Sequence, residues 1–100
     1  MNKVILATTV FGMSVNDLRI QLALKTVAEA HSHFYEIVIV DGSPVDSGIA
    51  EAFSAVSSLV HVEREIPFDK QIASGMGASR RQCISSAFNR GADIVVWLEP

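Results

Sequence analysis

The stretch EIVIVDGSPVD, residues 36–46, decides the fold that the rest of the chain can adopt. Residues 37–40 are an unbroken run of β-branched apolar side chains, which predicts a strand that is buried on both faces. Strands of this kind occur in parallel sheets that helices cover. Asp41 comes at the carboxyl end of this strand, and the turn formers of residues 42–44 follow it. We therefore expect its carboxylate to be held at the mouth of the sheet, where ligands bind, and not inside it.

The rest of the chain alternates between strand-like and helix-like patterns. Further strands are predicted over residues 3–9, 59–66 and 93–98. A first helix of about four turns is predicted from an apolar stripe that runs from Ile20 to Phe34, and further helices over 45–57 and 78–90. The alternation predicts an α/β fold, a Rossmann-like parallel sheet with helices on both faces and right-handed crossovers. Because no helix follows the fourth strand, we expect residues 1–100 to be a single domain, truncated after that strand, that forms the N-terminal part of a longer one.

Local signals mark the ends of several elements. Ser14 and Asp17 resemble a capping box at the start of the first helix, with Asn16 as a competing cap. The alternation of apolar and polar residues over 59–66 is typical of a strand near the edge of a sheet. Residues 66–77 show no clear period, and we interpret them as a long loop that could fold over a ligand.

Composition excludes several classes of protein. Hydrophobic residues make up 49% of the chain and charged residues 19%, which argues against disorder. The net charge of −3 disfavours an electrostatic nucleic-acid binder. Cys83 is the single cysteine, so an internal disulfide and a cysteine-rich zinc site are excluded. The apolar part of residues 4–9 is too short to span a membrane. We therefore expect a soluble, cytoplasmic protein without a membrane segment.

Polar residues end three of the predicted strands. Thr8, Asp41 and Glu99 each lie at a carboxyl end, and a parallel sheet brings these ends to one rim. Arg80 lies in the first turn of a helix on the same side, where free backbone N–H groups favour an anion such as a diphosphate. Any one of these residues could simply terminate a strand, but their convergence predicts a binding site.

Other reactive side chains carry weaker patterns. The three histidines, His31, His33 and His61, show no metal-ligand spacing with one another or with Cys83. Cys83 has no basic histidine partner and is expected to be a buried thiol. Trp97, in the last strand, is expected to belong to the core.

Three motifs resemble those of the family-2 glycosyltransferases with a GT-A fold. IVIVDGSPVD resembles the family's IIVVDDGSTD, with Val40 in place of one acidic residue and Asp41 as the acid beside Gly-Ser. Residues 77–91 parallel G-x-A-R-N-x-G-I-x-x-A-x-x-x-G, with departures at residues 79, 81 and 83. IVVWLEP then matches the strand that ends in the Asp-x-Asp motif, with Glu99 in the first acidic position and Pro100 in the middle one.

This resemblance implies a nucleotide-sugar site. By position, Thr8, Asp41, Arg80 and Glu99 would bind a nucleotide-diphosphate sugar, most simply a UDP-sugar, and Glu99 would contact a divalent metal, Mg²⁺ or Mn²⁺. The family's acceptor site and general base lie further downstream than residue 100, so no catalytic residue is assigned. The resemblance therefore implies the donor-binding half of a glycosyltransferase.

Two other functions remain open. The replacement of Asp-x-Asp by Glu99-Pro100 would permit a non-catalytic nucleotide-binding or interaction domain that keeps the fold without the metal motif. A nucleotidyltransferase would be expected to carry a glycine-rich loop after the first strand, where residues 8–14 contain only Gly12. An uncovered last strand would also expose apolar surface, so we expect self-association.

Overall fold

The computed structural model describes residues 2–66 and 77–100. The described residues form four strands and three α-helices, which alternate along the chain: β1 Val4–Val10, α1 Leu18–Ala30, β2 Glu36–Asp41, α2 Ile49–Ser54, β3 Val60–Arg64, α3 Gly77–Asn89 and β4 Ile94–Trp97. Short 3₁₀ turns lie at His31–His33 and Val45–Ser47. Most of the loop predicted over residues 66–77 lies outside the described residues.

The sheet has the strand order β3-β2-β1-β4, and every neighbouring pair is parallel. The chain moves in one direction from β1 through β2 to β3, and then returns past β1 to place β4 on the other side. The boundary between β1 and β4 is therefore the topological switch point, the position at which open α/β sheets bind ligands. The predicted parallel sheet is confirmed.

Alternate residues of the inner strands face two separate cores, which explains their unbroken apolar runs. One core joins β1, β2 and β3 to α1 and α2, and its buried residues are Leu6, Val10, Ile20, Val27, Ile37, Ile39, Ile49, Phe53 and Val60. The other joins β1 and β2 to α3, and consists of Ile5, Ala7, Val38, Val40, Cys83 and Ala87. Helices thus cover both faces of the sheet, as predicted.

The polar residues of β3 pair with α3. Glu63 accepts a hydrogen bond from the Ser86 hydroxyl, and His61 Nε2 lies 2.8 Å from Nη2 of Arg90. These contacts join two alternate residues of β3 to the last turn of α3 and to Arg90, which directly follows the helix. The edge position predicted for β3 is confirmed, but its polar side contacts α3.

Helix α1 has 13 residues, close to the predicted four turns, but it ends at Ala30, before Phe34, whereas α2 is shorter than predicted. Helix α1 begins at Leu18, after Asp17, whose ψ of 136° is not helical. The Asp17 carboxylate accepts hydrogen bonds from the N–H groups of Met13 and Ser14, at 2.8 and 3.3 Å. Asp17 thus forms the carboxylate half of the predicted capping box, but Ser14 does not cap the helix. Helix α2 begins only after Gly48, whose φ of 78° interrupts the helical backbone.

Strand β4 lies at the edge of the sheet. Val95 and Trp97 pack towards α3, whereas the alternate residues Ile94 and Val96 are 45% and 40% exposed. An apolar surface is therefore present on the other face of this strand. Within residues 2–66 and 77–100, we find no helix whose length and apolar character would let it cross a membrane.

Candidate functional site

Thr8 anchors the backbone that leads out of β4. The Leu98 N–H donates to the Ala7 carbonyl at 2.9 Å, and the Thr8 hydroxyl donates to the Leu98 carbonyl at 2.8 Å. Both bonds cross the switch point between β1 and β4. Thr8 is itself buried, so its effect is to hold Glu99, the next residue, at a defined place on the rim.

Three side chains meet at this place. The Trp97 indole N–H donates to Oε1 of Glu99 at 2.9 Å, and Nη1 of Arg80 lies 3.7 Å from the same oxygen. The Arg80 guanidinium also lies 5.7 Å from the centre of the Trp97 ring, within cation–π range. We call Thr8, Arg80, Trp97 and Glu99 the switch-point cluster.

Asp41 belongs to a different group on the same rim. Its position at the end of β2 is confirmed, but its side chain is fully buried, so the carboxylate is not exposed to a ligand at the mouth of the sheet. Oδ1 accepts a hydrogen bond from the Ser43 N–H at 2.8 Å, and Oδ2 accepts one from Nη1 of Arg64 at 2.9 Å. Burial is tolerated because both oxygens have partners, one of them a cation.

The same group ties two rim loops together. Nη2 of Arg64 donates to the Ser43 carbonyl, and the Ser43 hydroxyl accepts from the Gly12 N–H at 3.0 Å. A Cβ on Gly42 would lie 2.5 Å from Oε2 of Glu65, so the turn after β2 approaches the end of β3 closely. We call Gly12, Asp41, Ser43 and Arg64 the Asp41 network.

The sequence did not lead us to Arg64. In β3, Val60, Val62 and Arg64 are alternate residues, so their side chains face the same side of the sheet. Val60 and Val62 pack in the core below α1 and α2. A cation at an apolar position of a strand is typical of a buried ionic partner, and Asp41 faces the same side of the sheet in β2. A charged residue at this inward-facing position of β3 was therefore the sequence signal from which Arg64 could have been predicted. Trp97, expected in the core, packs against it but also contacts Arg80 and Glu99 on the rim.

The described residues contain no group of three His, Cys, Asp or Glu side chains that could hold a metal ion. Glu99 offers a single carboxylate, with no hydrogen bond to Oε2 among those residues. One carboxylate together with phosphate oxygens and waters is a common way of binding Mg²⁺, so a metal held by Glu99 would need further ligands of that kind. Cys83 contributes nothing here, because burial raises the pKa of its thiol to about 11.

A second polar cluster lies at the opposite end of the sheet. Glu36, the first residue of β2, accepts hydrogen bonds from Arg90 at 3.0 and 3.2 Å and lies 2.8 Å from Nε2 of His61. The hydrogen bonds from Arg90 hold the pKa of Glu36 below its usual value, although burial acts in the other direction. This cluster joins β2 and β3 to Arg90, the residue that follows α3, and does not reach the rim.

Comparisons with protein-family models, curated proteins and solved structures return no match to this chain. The resemblance to the glycosyltransferases therefore rests on the three motifs and their order. The structure brings Arg80 and Glu99 into contact and places Thr8 beside them through Leu98, whereas Asp41 lies one strand away.

Proposed function

We propose that this chain binds a nucleotide-diphosphate sugar at the carboxyl-end rim and supplies the donor-binding half of a glycosyltransferase, which passes the sugar to an acceptor hydroxyl. The observation that carries the proposal is the meeting of Arg80 and Glu99 at the switch point, on a backbone anchored by Thr8. A cation and a carboxylate side by side complement a diphosphate and its counter-ion. A UDP-sugar is the donor that the motif resemblance favours, and the free thiol of Cys83 supports a cytoplasmic location.

The two charged residues would have separate tasks. Arg80, whose side chain is 57% exposed, would donate to the diphosphate oxygens, and Oε2 of Glu99, which has no hydrogen-bond partner among the described residues, would face a divalent metal. When bound, Mg²⁺ or Mn²⁺ would neutralise charge on the departing nucleotide diphosphate. Arg80 would add to this stabilisation without moving far, because the Trp97 ring already supports its guanidinium.

Asp41 would act on the nucleotide indirectly. Its carboxylate is occupied by Ser43 and Arg64, so the groups left for a base are those of the turn that it shapes. Through Ser43 and Gly12 the Asp41 network holds the loops after β1 and β2 together. We propose that it forms one wall of the nucleoside pocket, while Thr8 supports the opposite side.

A non-catalytic domain is the second candidate. Oε1 of Glu99 already has two partners within the protein, Trp97 and Arg80, which also suits a purely structural ion pair. The non-catalytic domain would keep this contact permanently and would have no metal-dependent affinity for a nucleotide. Binding in the presence and absence of metal therefore separates the two functions.

Calorimetric titration with uridine diphosphate, with and without Mn²⁺, provides the test. We expect binding that Mn²⁺ strengthens, and a loss of about tenfold in affinity in Arg80→Ala, as for one charged hydrogen bond. Arg81→Ala is the matched control: it removes the same charge one residue later in α3, and its affinity should stay within about threefold of the wild type. A wild-type chain that binds no uridine diphosphate under either condition would refute the donor-site proposal.

A further inference from the structure

Trp97 contacts both charged residues of the proposed site. Its N–H donates to Glu99 Oε1 at 2.9 Å, and its ring lies below the Arg80 guanidinium at 5.7 Å. Trp97 is also partly buried against the core that α3 forms with β1 and β2. The indole is therefore a fixed element, whereas its two partners are long side chains at the surface.

The ion pair by itself would not hold this geometry. The Arg80 and Glu99 side chains are 57% and 76% exposed, and their closest charged atoms are 3.7 Å apart. Exposed pairs of this kind contribute little, because solvent screens them and the side chains lose entropy when they are held. An indole has few rotatable bonds and is partly buried here, so it can orient both partners at a small entropic cost.

We propose that Trp97 is a positioning residue that orients Glu99 and Arg80 towards a divalent cation and a diphosphate. The inference rests on the proposed function and deepens it. The indole N–H engages Oε1 of Glu99, while Oε2 accepts no hydrogen bond from the described residues, an arrangement common where a partner lies behind a metal ligand. The ring face holds Arg80 beside the same carboxylate, so one side chain aligns the metal ligand with the anion-binding group.

Two substitutions separate the roles of the N–H and the ring. Trp97→Phe keeps an aromatic face for Arg80 and removes the donor to Glu99, whereas Trp97→Leu removes both. In Trp97→Phe we expect affinity for uridine diphosphate with Mn²⁺ to fall about tenfold, in the range found for residues behind metal ligands, and metal-free affinity to change less than about twofold. In Trp97→Leu both affinities should fall. If Trp97 only supported the fold, Trp97→Phe would lower the affinity with Mn²⁺ and the metal-free affinity by the same factor.

A measurement on the unmodified protein avoids any loss of folding in the variants. Trp97 is the single tryptophan of the chain, so its fluorescence reports on this site alone. Paramagnetic Mn²⁺ added with uridine diphosphate should quench it, Mg²⁺ should reverse the quenching, and Glu99→Gln should remove it.

The outcomes distinguish this inference from the proposed function. If the wild type binds uridine diphosphate with Mn²⁺ but shows no quenching, or if folded Trp97→Phe keeps its full metal dependence, Trp97 has no positioning role and the donor site stands. If the wild type binds uridine diphosphate neither with nor without Mn²⁺, the proposed function and the positioning role of Trp97 are both wrong. Quenching that Glu99→Gln removes, together with a selective loss of metal dependence in Trp97→Phe, supports both.

Discussion

Nη1 of Arg64 lies 2.9 Å from Oδ2 of Asp41, and this contact joins the carboxyl ends of two neighbouring strands. The carboxylate is fully buried, whereas the Arg64 side chain is 46% exposed. The same guanidinium donates to the Ser43 carbonyl, so its two terminal nitrogens engage both the acid and the turn that follows it. We infer that Arg64 makes the burial of Asp41 possible.

Arg64→Ala should therefore destabilise the fold. Among the described residues, it leaves the buried carboxylate with the Ser43 N–H as its one partner, and we expect the free energy of unfolding to fall by about 2 kcal/mol. Arg64→Lys keeps the charge but loses the two-pronged geometry, so it should recover less than about half of that loss. Urea denaturation measures both, with Arg19→Ala on the exposed side of α1 as the control. Equal midpoints for Arg64→Ala and Arg19→Ala would show that Asp41 does not depend on Arg64.

The sheet was predictable from local sequence, because each inner strand is an apolar run long enough to face two cores. The burial of Asp41 was not, since it depends on Arg64, which lies in another strand. The charged contacts of Trp97 were missed for a related reason: they depend on where α3 packs across β4. Local pattern thus predicted the strand ends that form the rim, and tertiary contacts determined that Asp41 is buried there and that Arg64 and Trp97 join the rim.

The length of helix α2 was mispredicted for a different reason: a local backbone feature, and not a tertiary contact, shortens it. Gly48 adopts a φ of 78° between the 3₁₀ turn and the helix. The apolar spacing of residues 49–56 suggested a helix from residue 45, but spacing carries no information on φ. Ile49 and Phe53, predicted on one apolar face, are both buried.

Gly48→Ala should destabilise the protein by about 1 kcal/mol, because an L-residue is strained in the left-handed region. The cost should come from the backbone and not from crowding, since the new Cβ would lie 3.6 Å from the nearest atom, on Val15. Asparagine tolerates this conformation, so Gly48→Asn should cost less. Thermal melts of the three proteins provide the comparison, and an alanine variant as stable as the wild type would contradict the positive φ.

The Cys83 thiol should be unreactive in the folded protein. It is fully buried and donates to the carbonyls of Thr8 and Val38 at 3.3 Å, and burial raises its pKa to about 11. A disulfide-exchange reagent at about pH 8 should modify it only after denaturation, because the thiolate is the reactive form. Rapid modification of the native chain would place Cys83 at the surface. The raised pKa also makes the stability depend on pH. Its contribution to the stability is fully present below the usual thiol pKa of 9.0 and is lost as the pH rises towards about 11.

Glu36 should make the fold sensitive to acid. The hydrogen bonds from Arg90 lower its pKa from the usual 4.5, and His61 acts in the same direction. A lowered pKa stabilises the folded state above about pH 4.5, and this contribution is lost as the pH falls through the lowered value. Glu36→Gln should therefore reduce the stability near neutral pH and flatten its decline in acid. Glu51→Gln, on the exposed side of α2, is the control and should follow the wild-type profile.

The exposed face of β4 should drive self-association. Ile94 and Val96 are 45% and 40% exposed on a strand whose outer edge has no neighbour among the described strands. An edge strand with apolar side chains and free backbone groups is a template for pairing with another chain, and a lysine on such an edge opposes pairing. We therefore expect sedimentation velocity to show concentration-dependent association of the wild type and a shift to monomer in Val96→Lys. Val45→Lys makes the same change at an exposed site after β2 and should leave the association intact. If both variants associate as the wild type does, β4 is not the contact surface.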